Sequence, residues 1–372
     1  MMMLLKRDRY RLLITLIAVT LPLIIFLCSG SQGSSDSCGA GAARDKNTWP
    51  FACSSIWNMP IGSEARYSPA DLQPAKTIVG DVNHYVVSRE EDPFVPWYKP
   101  SSWATRCTPG DKLHGQLRVP NNLIVPDATE NYQPNNAFAF LQPDGYTLIQ
   151  GTALARCEAG GPVFGYAAPS YYRGHLENIY GSGITGGQGG SGLSSIGGTI
   201  RLGELLPSNG PIRHALKLNV YAHRYLYASP PGFRWPAIKA DAYAFDDSSL
   251  RRYGGDNPSL VMGSLLAIPP TIQEQDLGLQ TLAGQKLFQA LQDYGGYIVD
   301  DTARDAYAIA IETGVAEEFE ATYGYSFRTR SGAFFEDVNR LFQTLQIVDN
   351  NSAEAIGGGG TPRQPLAPPI GN

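Results

Sequence analysis

Arg213-His214-Ala215-Leu216-Lys217-Leu218-Asn219-Val220 is the stretch whose reading decides the fold class. Successive side chains of an extended chain point to opposite sides. His214, Leu216, Leu218 and Val220 therefore share one face, and Arg213, Ala215, Lys217 and Asn219 share the other. The pattern predicts a strand with one packed face and one wet face, as in a half-exposed sheet. Further strands are predicted on both sides, at residues 84–88, 115–120, 137–142, 146–156, 199–205, 260–269, 296–301 and 306–312. Between two of them, Pro143-Asp144-Gly145 reads as a hairpin turn, with proline presetting φ and glycine taking the positive-φ position. Helical periodicity is confined to residues 282–294 and 331–345. The second of these takes Ser331 as N-cap and places Phe334, Val338, Leu341, Phe342 and Leu345 on one stripe. Many short strands and a few late α-helices predict a mainly β chain, a two-sheet β-sandwich of jelly-roll type.

The 372 residues divide into four stretches. Residues 1–30 read as a signal peptide or membrane anchor: Lys6, Arg7, Arg9 and Arg11 precede an uncharged run from Leu12 to Cys28. Cleavage near Ser29 and Gly30 and retention as an anchor both stay open. Residues 31–45 form a polar spacer, 46–349 a single β-sandwich domain with helical decorations, and 350–372 a Gly/Pro-rich tail expected to be disordered. The chain is expected to be secreted or extracytoplasmic, touching membrane only through its N-terminal segment.

Without residues 1–30 the basic count falls from 29 to 25 and the acidic count from 34 to 33, leaving a net charge of about −8. No basic block remains to neutralise phosphates, which excludes nucleic acid as a partner class. Cys38, Cys53, Cys107 and Cys157 lack zinc-finger spacing and read as two disulfides. Three pairings are open, and the most local one, Cys38–Cys53 with Cys107–Cys157, is favoured. The chain has no serine-esterase elbow, phosphate loop, zinc-protease motif or dinucleotide fingerprint, and no metal or cofactor is expected.

Several residues could carry chemistry. His214 opens the strongest strand and would serve as a general base. In Arg234–Asp241, Trp235 offers a face for a pyranose ring, while Lys239 and Asp241 could hold a carboxylate and hydroxyls. Asp301 is a candidate acid. Its neighbour Asp300 should point the other way, so the two are not expected to act as a pair. Arg201, Glu204 and His84 complete the expected binding set. The glycine-dense run Gly181–Gly198 reads as a flexible crossing between strands or a loop at the rim of a site.

The segments Gly197–Leu205 (GGTIRLGEL), Ile212–Lys217 (IRHALK) and Leu291–Asp301 (LQDYGGYIVDD) resemble a group of secreted bacterial and eukaryotic proteins of no established activity. The resemblance runs from about residue 50 to 325 and carries over no catalytic residue. The expected architecture also resembles the jelly-roll polysaccharide lyases, a likeness of fold alone. Together these readings predict an extracytoplasmic carbohydrate-active protein, a lyase or hydrolase acting on a polysaccharide or envelope glycan. The alternative is a non-catalytic glycan-binding or structural surface protein of the cell envelope.

Overall fold

The structure, a computed structural model, describes residues 38–371. The export segment and the first part of the spacer lie outside the described residues. Thirteen strands are present among them: β1 Tyr67–Pro69, β2 Ile78–Val87, β3 Phe94–Pro100, β4 Pro109–Arg118, β5 Ala137–Leu141, β6 Thr147–Ala155, β7 Val163–Ala167, β8 Glu177–Asn178, β9 Leu216–Val220, β10 Leu265–Ala267, β11 Gly296–Asp301, β12 Tyr307–Glu312 and β13 Gln346–Val348. The chain is mainly β, as expected.

The layering differs from the expectation. Hydrogen bonds join the strands into one mixed sheet ordered β1-β13-β10-β11-β9-β12-β2-β5-β6-β7-β3-β4, with β8 on the flank of β6. This replaces the two stacked sheets of a jelly roll. Four neighbours run parallel: β11 with β9, β12 with β2, β2 with β5, and β3 with β7. Parallel pairing goes with burial on both faces, and here it is met without helices alternating along the chain.

The strand at Leu216–Val220 forms, but its polar face is not wet. Lys217 is 0 % exposed and Asn219 2 %. On one face Leu216, Leu218 and Val220 pack with the helices Leu282–Asp293 and Ala333–Thr344 through Leu287, Leu291, Val338, Leu341 and Phe342. On the other, Phe51, Trp57, Leu193, Ile196, Tyr297 and Val299 form a second core. Helices cover one side and the N-terminal and glycine-rich segments the other, so polar residues of the central strands are enclosed.

The helices stand close to where periodicity put them. The first is capped by Thr281, whose hydroxyl accepts from the Gly284 amide. The second begins at Ala333 after Gly332, without a side-chain cap, so Ser331 does not play the expected part. Residues 199–205 form turns rather than a strand, touching the sheet by one bridge from Ile200 to Ile311.

The C-terminal stretch is a correction too. Residues 350–371 are laid against the body instead of being disordered: Asn351 is 3 % and Ala367 2 % exposed. The Gly39 amide donates to Ala367 O at 3.0 Å, Arg44 N to Pro369 O at 2.9 Å and Gly371 N to Arg44 O at 2.9 Å. The spacer from Cys38 onward is therefore pinned as well. Proline and glycine read as disorder only if nothing covers them. Here Gly357 has φ 69° and Gly358 φ 90°, a backbone that only glycine adopts without strain, and both are buried.

Both bridges form with the favoured pairing, Cys38–Cys53 and Cys107–Cys157. Two disulfides fit an oxidising, extracytoplasmic space. Among the described residues no helix is long and apolar enough to cross a membrane. Replacing Cys38 and Cys53 together by serine should cost about 3 kcal/mol of stability, because the bridge closes a loop of 15 residues. Denaturant unfolding under oxidising conditions measures it, and the same melt in reductant should bring the parent chain down at least as far.

Candidate functional site

A cavity of about 820 Å³ opens beside the central strands. Its floor follows from register. Across neighbouring strands, Asp81 of β2 pairs with Ala310 of β12, Ala308 of β12 pairs with Asn219 of β9, and Asn219 pairs with Asp300 of β11. Small alanines on the strand between leave a hollow flanked by three polar side chains. Asp81, Asn219, Ala308 and Asp300 all line it.

Asp81 is held by three amides that donate to its Oδ2: Asn219 Nδ2 at 3.0 Å, Gln188 Nε2 at 3.0 Å and Asn135 Nδ2 at 3.4 Å. Its Oδ1 takes no hydrogen bond among the described residues. Asn135 Nδ2 also donates to Asp300 Oδ2 at 2.8 Å. One amide nitrogen thus bridges two carboxyl groups and keeps those oxygens within roughly 6 Å of each other, the two bonds laid end to end. Asp300 Oδ1 accepts from the Gly190 amide at 3.1 Å and from the Asp301 amide at 2.9 Å.

Beneath Asp81 lies Lys217. Its Nζ donates to Asn83 Oδ1 at 2.6 Å, Gln188 Oε1 at 3.2 Å, Ser194 O at 3.2 Å and Ser195 O at 3.0 Å. Gln188 therefore connects the buried cation to the carboxylate. Burial pushes the Lys217 pKa well below the usual lysine range, with Asp81 and Asp300 opposing the fall.

Burial also pushes Asp300 well above the ordinary carboxylate range, and the charges of Asp241, Asp81 and Asp301 add to it. Asp81 is raised by burial, against the hydrogen bond of Asn219 and the charge of Lys217. Like charges crowded on a buried floor are costly to ionise together, so the pair favours one protonated and one ionised member. Asp300, with its surplus of negative neighbours, keeps the proton. Asp81, with three amides and an ammonium near it, is the better carboxylate.

The glycine-rich run is neither a loose crossing nor an outer rim. Gln188, Ser191, Ser194 and Ser195 are all 0 % exposed. The run passes so near the acids that a Cβ on Gly189, at φ +37°, would lie 2.0 Å from Asp300 Cγ, and one on Gly190 2.6 Å from Asp241 Oδ2. Glycine is required there for close approach.

Of the expected site residues, Lys239, Asp241 and Asp301 line this cavity. Residues 234–241 are a loop, not an extended strand, and Trp235 turns away to pack against the second core. Asp300 and Asp301 both line the cavity, although after a register slip between Ile298 and Asp300 they pair in regular order with Asn219 and Val220. The carboxyl facing Asp300 is that of Asp81. Asp301 is tied to Arg251 at 3.1 Å and to the amides of Ala222 and Ala303.

The other expected residues stand apart. His214 Nε2 meets Glu204 Oε2 at 3.1 Å, and Arg201 pairs with Glu312 at 3.7 Å. The hollow beside His214 and Arg201 is about 10 Å³, room for one water at most. His84 is buried, bonded to Thr313 at 2.8 Å, and burial pushes its pKa down to about 4, so it is neutral. Neither histidine lines the cavity. The walls supply aromatic surface from Trp103, Tyr132 and Tyr243. Among the described residues the one three-residue group with metal-like spacing is Cys107, Asp127 and Cys157, whose sulfurs are joined to each other.

Asp81, Asn135, Gln188, Lys217, Asn219 and Asp300 escaped the sequence reading as site residues. One signal was there: Asp81, Lys217, Asn219 and Asp300 interrupt strands otherwise made of residues suited to burial, and a polar side chain in such a strand must find partners. No protein-family model matches the chain, and no curated protein and no solved structure matches it.

Proposed function

We propose that this chain is an extracytoplasmic glycan hydrolase in which Asp300 is the general acid and Asp81 the nucleophilic carboxylate. The observation that carries the reading is the bridged pair of unequal carboxyl groups in a cavity walled by aromatic rings. Glycoside hydrolysis needs two such carboxyls. The two bridged oxygens lie no more than roughly 6 Å apart, which is short of the about 6.5–9.5 Å of inverting enzymes and compatible with the about 5–5.5 Å of retaining ones.

Asp300 gives its proton to the glycosidic oxygen as the C–O bond breaks, and Asp81 Oδ1 bonds to the anomeric carbon. Water then displaces Asp81 and returns a proton to Asp300. Trp103 and Tyr132 give the apolar faces on which pyranose rings stack. The lyase form of the reading loses ground. His214 is remote, and the hydroxyls of Tyr243 and Tyr253 are already engaged as donors to Asp301 at 3.1 Å and to Asp241 at 2.8 Å. An exported chain, released or tethered through residues 1–30, would meet its polymer in the envelope or beyond it.

Incubating the disulfide-bonded chain with a panel of polysaccharides tests this. New reducing ends without an unsaturated, ultraviolet-absorbing product are expected. Unsaturated ends would instead make the chain a lyase. Retention on a glycan with no product would make it the non-catalytic binder.

A further inference from the structure

The cavity floor holds more acceptors than free donors. Three cations near it are already engaged: Lys217 on four oxygens, Lys239 on the Gly189 carbonyl at 2.8 Å, and Arg251 on Asp301 and on the Tyr243 hydroxyl at 2.7 Å; Arg304 and Arg328, exposed on the cavity lining, make no ion pair among the described residues. Asp241 makes no ion pair among the described residues, although Lys239 and Arg251 lie near enough for their charges to act on it. Its Oδ2 accepts from the Tyr253 hydroxyl at 2.8 Å, while its Oδ1 takes no hydrogen bond among the described residues. Burial and the nearby charge of Asp301 raise its pKa, against the hydrogen bond of Tyr253 and the charges of Lys239 and Arg251. Asn219, on the same floor, adds a second acceptor. Its Nδ2 is fixed on Asp81, and its Oδ1 is buried without a partner.

A uronate would bring another carboxylate to this floor. Lys239, which the sequence suggested for holding one, lines the cavity but donates to the Gly189 carbonyl, and Arg201 lies elsewhere with Glu312. A ligand group that donates and carries positive charge answers both open acceptors. We propose that the sugar bound at the floor is an amino sugar whose ammonium pairs with Asp241. The inference rests on the glycan-hydrolase reading and assigns its substrate class. Asp241 then decides specificity, while Asp300 and Asp81 carry the cleavage.

The test uses Asp300→Asn, which keeps the neutral charge of the protonated acid and permits binding without turnover. Calorimetric titration compares a β-linked glucosamine oligomer, its N-acetylated counterpart and an oligogalacturonate, at a pH where the amine is protonated. The amino oligomer should bind about tenfold tighter than the acetylated one or better, with the galacturonate weakest. Adding Asp241→Asn should bring the amino and acetylated oligomers to within about threefold. Equal affinities before that change, a preference for galacturonate, or no binding of the amino oligomer would overturn the proposal. Asp300-dependent cleavage of a neutral glycan alongside such a result would retain the hydrolase and discard only the amine. An amine preference dependent on Asp241, with no glycan ever cleaved, would discard the hydrolase and leave an amino-glycan binder.

Discussion

Asp300→Asn should lower glycan cleavage by about 10²–10⁴-fold, the range that a positioned proton donor contributes. Little stability should go with it. The amide is neutral, as the protonated acid is, and its oxygen can still accept from the Gly190 and Asp301 amides. The loss should therefore stay within about 1–2 kcal/mol, from the exchange with Asn135. Steady-state kinetics beside a thermal melt separate the two effects. Loss of activity matched by an equal loss of folded protein would remove Asp300 from the chemistry.

The pH profile adds an independent reading. A general acid works only while protonated, and burial with its negative neighbours holds Asp300 well above the ordinary carboxylate range. Activity should persist above that range and fall as pH rises through the raised value. The variant's residual activity should lack this alkaline limb. The two limbs belong to the Asp81–Asp300 pair jointly. Stability follows the same sign: a carboxyl with a raised folded-state pKa contributes fully below its unfolded value and loses that contribution as pH rises through the folded value. Melts across the alkaline limb should show the decline in the parent and a smaller one in Asp300→Asn.

Lys217→Met should destabilise the chain by roughly 3–5 kcal/mol, the cost of removing one partner from a buried charged network. Methionine fills similar volume, so packing is largely kept. Four oxygens that faced the ammonium lose their donor, and Asp81 loses its nearest cation. Denaturant unfolding measures the loss. Under conditions where the variant remains folded, kcat should also fall, because Gln188 no longer has the ammonium to orient it toward Asp81. A variant as stable as the parent would mean that the serine carbonyls and Asn83 find other donors, and the network's structural role would fail.

Much of the fold was legible from local pattern. The strand at 216–220, the Pro143-Asp144-Gly145 turn between β5 and β6, and the stripe of Phe334, Val338, Leu341 and Phe342 each formed where local chemistry put them. Those features depend on neighbours a few residues away. The site was legible only in part. Lys239, Asp241 and Asp301, chosen by residue type, line the cavity, while His214, Glu204, Arg201, His84 and Trp235, chosen for the same reason, lie outside it. Residue type says what a side chain can do and not which face of a sheet it will occupy or what will cover that face.

The amino-acid order by itself determined a β-rich chain, its late helices, its hairpin turn and, through two local cysteine pairs, a body suited to an oxidising space. Only the tertiary structure decided that the polar face of β9 is enclosed, that the C-terminal glycines and prolines are packed, and that Asp81 meets Asp300. Those two carboxyls stand 219 positions apart in the sequence. They come together because strand order sets β12, with its small alanines, between β2 and β9, and no periodicity within a strand records which strand will lie beside it.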